Sequence, residues 1–356
     1  MSNEPTTRDL RVDAIRGVAL LVIFSDHIYA NPLRRIMPVS QGLSDMAEVF
    51  IFLSGYLNGI VSRQIVNRAA FVRQLIKGIR RCLLLYLAIL LVHLLIFAMV
   101  ELHVLNPEGL LGVRLFIPPA SALLPDTWSV LTLKCLLANI SVLALYLPLL
   151  AIVPFVPELL RRYFIETVAV SCQIYLLVQF FPHAVALPDP WAASLYFNPF
   201  AWQLPFVLGI AFGVRPKACK ACVPKNLFVV LLALVAILGA WLYWVLGGAP
   251  YGHWAWKHTL DPARLAHFYC VLIIGRKLLQ KDSSFLTWPL VHPIILCGRH
   301  PLPVYCTGAL LSIGGEVLLA RPEASLEWVV AINAIGWVAC ILVAYVASEI
   351  QAKDGK

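Results

Sequence analysis

Apolar runs of roughly membrane length recur along almost the whole chain, and nothing else in the sequence restricts the fold as strongly. They lie near Ala14 to Asn31, Asp45 to Ser62, Cys82 to Leu102, Ile140 to Val156, Ile165 to Phe181, Ala201 to Val214, Leu227 to Leu246, Pro262 to Lys277, Pro303 to Leu319 and Trp328 to Ser348. Each reads as a helix that could cross about 30 Å of hydrocarbon. The chain is 60% hydrophobic and 13% charged, against roughly 25% charged in a soluble domain. The expected fold is an all-α integral membrane protein, with residues 1–356 forming one bundle of about ten transmembrane helices. The Trp202 and Arg264 runs are short and polar at one end, and the prolines between Phe285 and Cys297 suit an interfacial or re-entrant segment. No internal repeat and no separate soluble domain is visible.

The formal charge of +9 has to be placed before it can be interpreted. With the N-terminus in the cytoplasm, 21 of the 28 Lys and Arg residues fall in inside segments, including Arg8, Arg11, Arg16, Arg68, Arg80, Arg81, Arg161, Arg215, Arg299 and Lys353. That bias predicts both termini inside. The charge then reports topology and requires no nucleic acid. The first apolar run ends in Ser25-Asp26-His27 rather than in a small-residue cleavage site, so it is expected to stay as a membrane helix. Nine cysteines, an odd number mostly inside apolar runs, imply no disulfide framework. Cys219 and Cys222 form an isolated CxxC with no second ligand pair, so no metal is expected. His93, His103, His183, His253, His258 and His292 have no motif around them.

The first run carries the strongest chemical signal. Arg16 opens it and Asp26 and His27 close it, and ionisable groups inside a membrane helix mark function by default. Eleven residues bring Arg16 and His27 within roughly 20° on one helix face, about 16 Å apart along the axis. His27 then lies near the outer end of the first helix, at the depth where Asp45 and Glu48 start the second. Asp26, His27, Asp45 and Glu48 are the candidate catalytic set, because a carboxylate beside an imidazole fixes its tautomer and stabilises its protonated form. The bland alternative is a polar pair gluing two helices together.

Arg264 and His267 begin the eighth run from the same outer side, three residues apart on one face. Asn198, Trp202 and Gln203 enter the sixth at that level. Rings and amides at an outer mouth suit a carbohydrate acceptor, although a lone Trp is commonly an interfacial belt residue. Aromatic and proline-rich connections, Asn106 to Trp128, Pro182 to Trp202 and Gly247 to Pro262, could form that mouth. On the inner side Arg80 and Arg81 open the third run and Arg299 with His300 precedes the ninth, and these could grip the phosphates of a nucleotide-like donor. The positive-inside rule accounts for the loop arginines without any ligand.

The Arg16 to His27 pair resembles the R-x10-H motif of membrane acyltransferase family three. The stretches RVDAIRGVALLVIFSDH, SDMAEVFIFLSGYLNG, VLALYLPLL, FNPFAWQLPFVLG, LDPARLAHF and CGRHPLPVYCTG resemble the OpgC family of osmoregulated periplasmic glucan succinyltransferases over nearly the whole chain. His300 and Pro301 depart from the Gly-Arg-x-Ser-Leu type sequence expected there. The resemblance implies a multi-pass protein of the bacterial inner membrane. It would transfer an acyl group, succinyl in that family, from cytoplasmic acyl-CoA as co-substrate to hydroxyls of a periplasmic glucan, with no permanently bound cofactor. His27 would deprotonate the sugar hydroxyl, Asp45 or Glu48 would orient it, and Arg16 would help hold the donor. Ser25 and Ser54 are conceivable nucleophiles for an acyl-enzyme. A proton-coupled transporter of a small anion or sugar is the alternative, although no helix-breaking segments recur in corresponding halves. A non-catalytic partner of a glucan synthase is a third class.

Overall fold

A computed structural model of the chain describes residues 9–38, 42–63, 68–102, 127–183, 185, 187, 191, 195–221, 223, 226–246, 256–278, 284–321 and 324–354. Among the described residues all regular structure is helical. In chain order the α-helices are α1 (Leu10–Asp26), α2 (Met46–Ser62), α3 (Arg68–Glu101), α4 (Thr127–Leu131), α5 (Ser141–Ile152), α6 (Val156–Arg162), α7 (Phe164–Phe180) and α8 (Pro199–Val214). There follow α9 (Pro216–Ala221), α10 (Leu227–Val245), α11 (Pro262–Leu278), α12 (His292–Arg299), α13 (Pro301–Leu319) and α14 (Leu326–Asp354).

The expectation of about ten spans is corrected by the helix lengths. Three helices, α3, α13 and α14, are long and apolar enough to cross a membrane, and α5 with α6, bent by 48°, makes a fourth if the pair is one span. Helices α2, α7, α8 and the Leu227–Tyr243 part of α10 have at most 17 residues. At 1.5 Å per residue that is about 26 Å, short of about 30 Å of hydrocarbon. Helices α1 and α11 also have 17 residues each, and Asp13, Arg16 and Asp26 in α1 and Arg264, Arg276 and Lys277 in α11 lower their apolarity. The sequence shows apolar runs, and loops, prolines and charges decide how much of each becomes uninterrupted helix.

Two further differences follow from local chemistry. Helix α3 starts at Arg68 rather than near Cys82, so Arg80 and Arg81 lie on its exposed surface instead of opening it. Arginine is a good helix former and does not stop a helix. The Phe285 to Cys297 stretch becomes a 3-10 turn at Ser284–Thr287 and the short α12, which has Pro293 at its start where the missing N–H costs nothing.

Glycines set two of the closest packings. Gly55 and Gly59 of α2 face Gly209 and Gly213 of α8, each pair four residues apart. A Cβ at Gly55 would collide with the Phe206 carbonyl, and one at Gly209 with the Phe52 carbonyl. Small residues at this spacing let helix backbones touch. In the same way Gly298 of α12 lies against the Asp13 carbonyl of α1, and Gly17 against that of Ile294.

The main core joins α1, α2, α3, α5, α8 and α13 around Ile51, Ile89, Leu145, Trp202, Phe206 and Ile313. Outward faces are apolar as well: Leu231, Val235, Leu238 and Leu242 of α10 and Leu83, Leu87, Leu91 and Leu94 of α3 are exposed. Helices apolar both inward and outward have the pattern of helices in contact with hydrocarbon.

Candidate functional site

Four chain segments meet where α1 ends. The N-terminus of α2 is built first by its own sequence, as Asp45 Oδ1 accepts from the Ala47 N–H at 2.8 Å and Glu48 Oε2 accepts from the Asp45 N–H at 3.0 Å. This capping box uses one oxygen of each carboxylate and turns the others toward α11. Arg264 donates from Nε to Glu48 Oε1 at 2.7 Å and from Nη2 to Asp45 Oδ2 at 3.2 Å. Lys257, in the segment before α11, brings its Nζ to Asp45 Oδ2 at 2.8 Å. Two anions and two cations thus close on one another in a site where the Arg264 and Glu48 side chains are 2% and 0% exposed. Burial works against charge on Lys257, yet the Asp45 and Glu48 carboxylates outweigh it and hold its pKa above the ordinary lysine value.

His27, the C-cap residue of α1, is half-buried and meets the ring of Tyr305 edge-on, centroids 6.1 Å apart. The charges of Lys257, Arg34 and Asp45 act on both His27 and Asp26. The Asp45 and Glu48 oxygens themselves are bonded to Arg264, Lys257 and α2 backbone, and His27 forms no hydrogen bond with them. Asp26 is buried, and its Oδ1 has no hydrogen-bond partner among the described residues. The end of α1 is held from the far side by α14: Trp337 Nε1 donates to Ser25 Oγ at 3.1 Å, and Asn31 Nδ2 donates to Asn333 Oδ1 at 3.1 Å.

His267, one turn after Arg264, is buried against the segment that leads into α2. Its Nδ1 lies 2.6 Å from Ser44 Oγ and accepts from the Ser44 N–H at 3.3 Å. An added Cβ at Gly42 would stand 2.8 Å from His267 Cε1, so this stretch folds closely over the ring.

Asn198, Trp202 and Gln203 turn inward. Asn198 caps α8, accepting from the Phe200 N–H at 2.9 Å. Trp202 is wholly buried, and its Nε1 donates to the Lys257 carbonyl at 2.9 Å. Gln203 Oε1 accepts from Ser171 Oγ at 2.6 Å, and its Nε2 donates to the Ser171 carbonyl at 2.8 Å. Trp202 therefore shows no ring face on which a sugar could stack. These residues build the wall that places Lys257. Most of the expected mouth, including 103–126 and 247–255, lies outside the described residues, as does Cys222.

The proposed donor arginines are spread apart. Arg16 sits within the bundle with its guanidinium 5.3 Å from the centre of the Phe50 ring. Nearby on α5 the Tyr146 hydroxyl donates to Ser54 Oγ at 2.9 Å. Arg299 faces the buried Asp13 at 3.6 Å, and exposed Arg81 reaches Asn58 Oδ1 at 3.4 Å. Arg80 is exposed on α3. No group of three or more metal-ligating side chains occurs among the described residues.

Ser44, Lys257 and Tyr146 are site residues that the sequence did not single out. Only Ser44 had an available signal, as the residue before a capping box. Lys257 was one outside cation among seven, and Tyr146 one aromatic in an apolar run.

The family model described as OpgC protein matches residues 8–352. No curated protein matches the chain, and no solved structure does.

Proposed function

The chain belongs to the OpgC protein family, and on that premise we propose that it is a membrane O-acyltransferase that moves an acyl group from cytoplasmic acyl-CoA to hydroxyls of a periplasmic glucan. Succinyl is the acyl group that the family resemblance favours. The observation that carries the reading is the buried cluster Asp45–Glu48–Lys257–Arg264, whose Asp45 and Lys257 charges act on His27 at the end of the helix that also carries Arg16. An imidazole at such a site can take the proton of a neutral sugar hydroxyl. His27 accepts that proton as the hydroxyl oxygen attacks the carbonyl of the activated acyl group, whose coenzyme A leaves as the thiol. Asp45 and Glu48 act through the cations they hold. Arg16 lies between this site and the far end of α1, where it can contact the donor arm.

The bundle lies in the bacterial inner membrane with the α1 N-terminus inside, so the charge cluster faces the glucan and Arg80, Arg81 and Arg299 face the donor. The test is mass spectrometry of periplasmic glucans from cells with and without the protein, joined to transfer from labelled succinyl-CoA in reconstituted vesicles. Loss of one acyl mass per modified glucan supports the reading. Movement of labelled solute across the vesicles without any coenzyme A, and no change in the glucans, would replace it with the transporter.

A further inference from the structure

Three serine hydroxyls around the candidate site have different partners, and one of those partners is an imidazole. Ser25 Oγ accepts from the Trp337 indole, Ser54 Oγ meets Tyr146, and Ser44 Oγ lies 2.6 Å from His267 Nδ1. The tautomer of His267 follows from a second contact. The Ser44 backbone N–H, which can only donate, also points at Nδ1 at 3.3 Å. Nδ1 is therefore the unprotonated nitrogen of a neutral ring, and the Ser44 hydroxyl donates to it. This is the ground-state geometry of a serine whose proton a histidine is placed to remove.

The surroundings keep that arrangement in place. Ser44 is 6% and His267 8% exposed, so neither trades its partner for water. Arg264, three residues before His267, is bonded to Glu48 and Asp45, which anchors α11 to α2 at this level. The other ring nitrogen, Nε2, is buried without a hydrogen-bond partner.

We propose that Ser44 is a nucleophile and His267 its base, so that the acyl group passes through a Ser44 ester on its way to the acceptor. This inference rests on the acyl-transfer reading above. Ser44 Oγ attacks the thioester carbonyl while His267 Nδ1 takes its proton. The carbon–sulfur bond breaks, and the proton moves from Nδ1 to the departing sulfur, which leaves as the thiol. A sugar hydroxyl then attacks the Ser44 ester. His27 takes the sugar's proton and releases it to water, and His267 hands a proton taken from water at Nδ1 to Ser44 Oγ as the carbonyl–Oγ bond breaks. The relay separates loading from delivery, so donor and acceptor need never occupy the site together.

The test uses the full chain in vesicles with labelled succinyl-CoA. Without glucan, the wild type is expected to take up one acyl group per chain at Ser44, located by peptide mass. Ser44→Ala is expected to take up none and to transfer about 10³-fold more slowly, while eluting as a folded protein. Ser44→Cys supplies the independent check: its adduct is a thioester, released by neutral hydroxylamine, whereas the wild-type ester survives it. Transfer by Ser44→Ala at the wild-type rate, label on another residue, or transfer by a wild type that never becomes labelled would each overturn the relay and leave the acyltransferase standing. A wild type that transfers nothing to any glucan overturns both.

Discussion

Arg264 of α11 meets Glu48 of α2 with Nη2 2.6 Å from Oε1, and neither side chain is more than 2% exposed. The two residues are 216 positions apart in the chain. Their contact ties the C-terminal half to the first hairpin of helices at the depth of His27. Because Asp45 shares the guanidinium and Lys257 shares Asp45, disturbing one member leaves others charged and unpaired.

Arg264→Met should accordingly destabilise the protein by about 3–5 kcal/mol, the cost of stranding a buried partner. The fall in thermal midpoint in detergent measures it. Replacing all four members, Arg264, Glu48, Asp45 and Lys257, together by apolar residues should cost less than Arg264→Met alone. A single variant with the wild-type midpoint would mean that the cluster does not hold α11 to α2.

Lys257 gives the cluster a defined pH window. Its folded-state pKa is raised above the ordinary lysine value of 10.5, so its stabilising contribution is complete below that value and is lost as pH rises through the higher folded value. Unfolding midpoints should show no Lys257-dependent change near neutral pH. Above about pH 10.5 the wild type should lose stability faster than Lys257→Met. Parallel pH curves for the two proteins would contradict the pairing with Asp45.

Gly55→Val and Gly209→Val should each abolish folding into a monodisperse species. A side chain at either position meets backbone of the facing helix, which has no rotamer to yield. Gly239→Ala on α10, where nothing stands within 4 Å, is the matched control and should be neutral or slightly stabilising through helix propensity. Size-exclusion profiles in detergent separate the outcomes.

His27→Ala should slow acyl transfer by roughly 10²–10⁴-fold and barely move the thermal midpoint. Its ring makes an edge contact with Tyr305 and bears none of the bonds that hold the cluster together. Retention of full transfer in reconstituted vesicles would remove His27 from the mechanism, whereas a large loss of midpoint would make it structural.

Much of the helical architecture could be read from residues alone. Asp45 and Glu48 stand three apart before an apolar run, and that spacing produced the capping box at the predicted start of α2. Arg264 and His267 were legible as one face of one helix. Their partners were not, because the pairing of Arg264 with Glu48 and of His267 with Ser44 depends on how α11 lies against α2. Trp202 shows the opposite failure: an indole at the edge of an apolar run suits an outer belt, yet packing buried it and gave its N–H to the Lys257 carbonyl.

By itself the sequence determined the apolar helices, the charges at their ends and the family. Local propensity and hydrophobicity act over a few turns and need no partner to be read. The tertiary structure alone decided which carboxylate meets which cation, how many helices keep the length of a full span, and which serine meets an imidazole. Those outcomes depend on ångström-scale distances between segments up to hundreds of residues apart, which only the packed bundle sets.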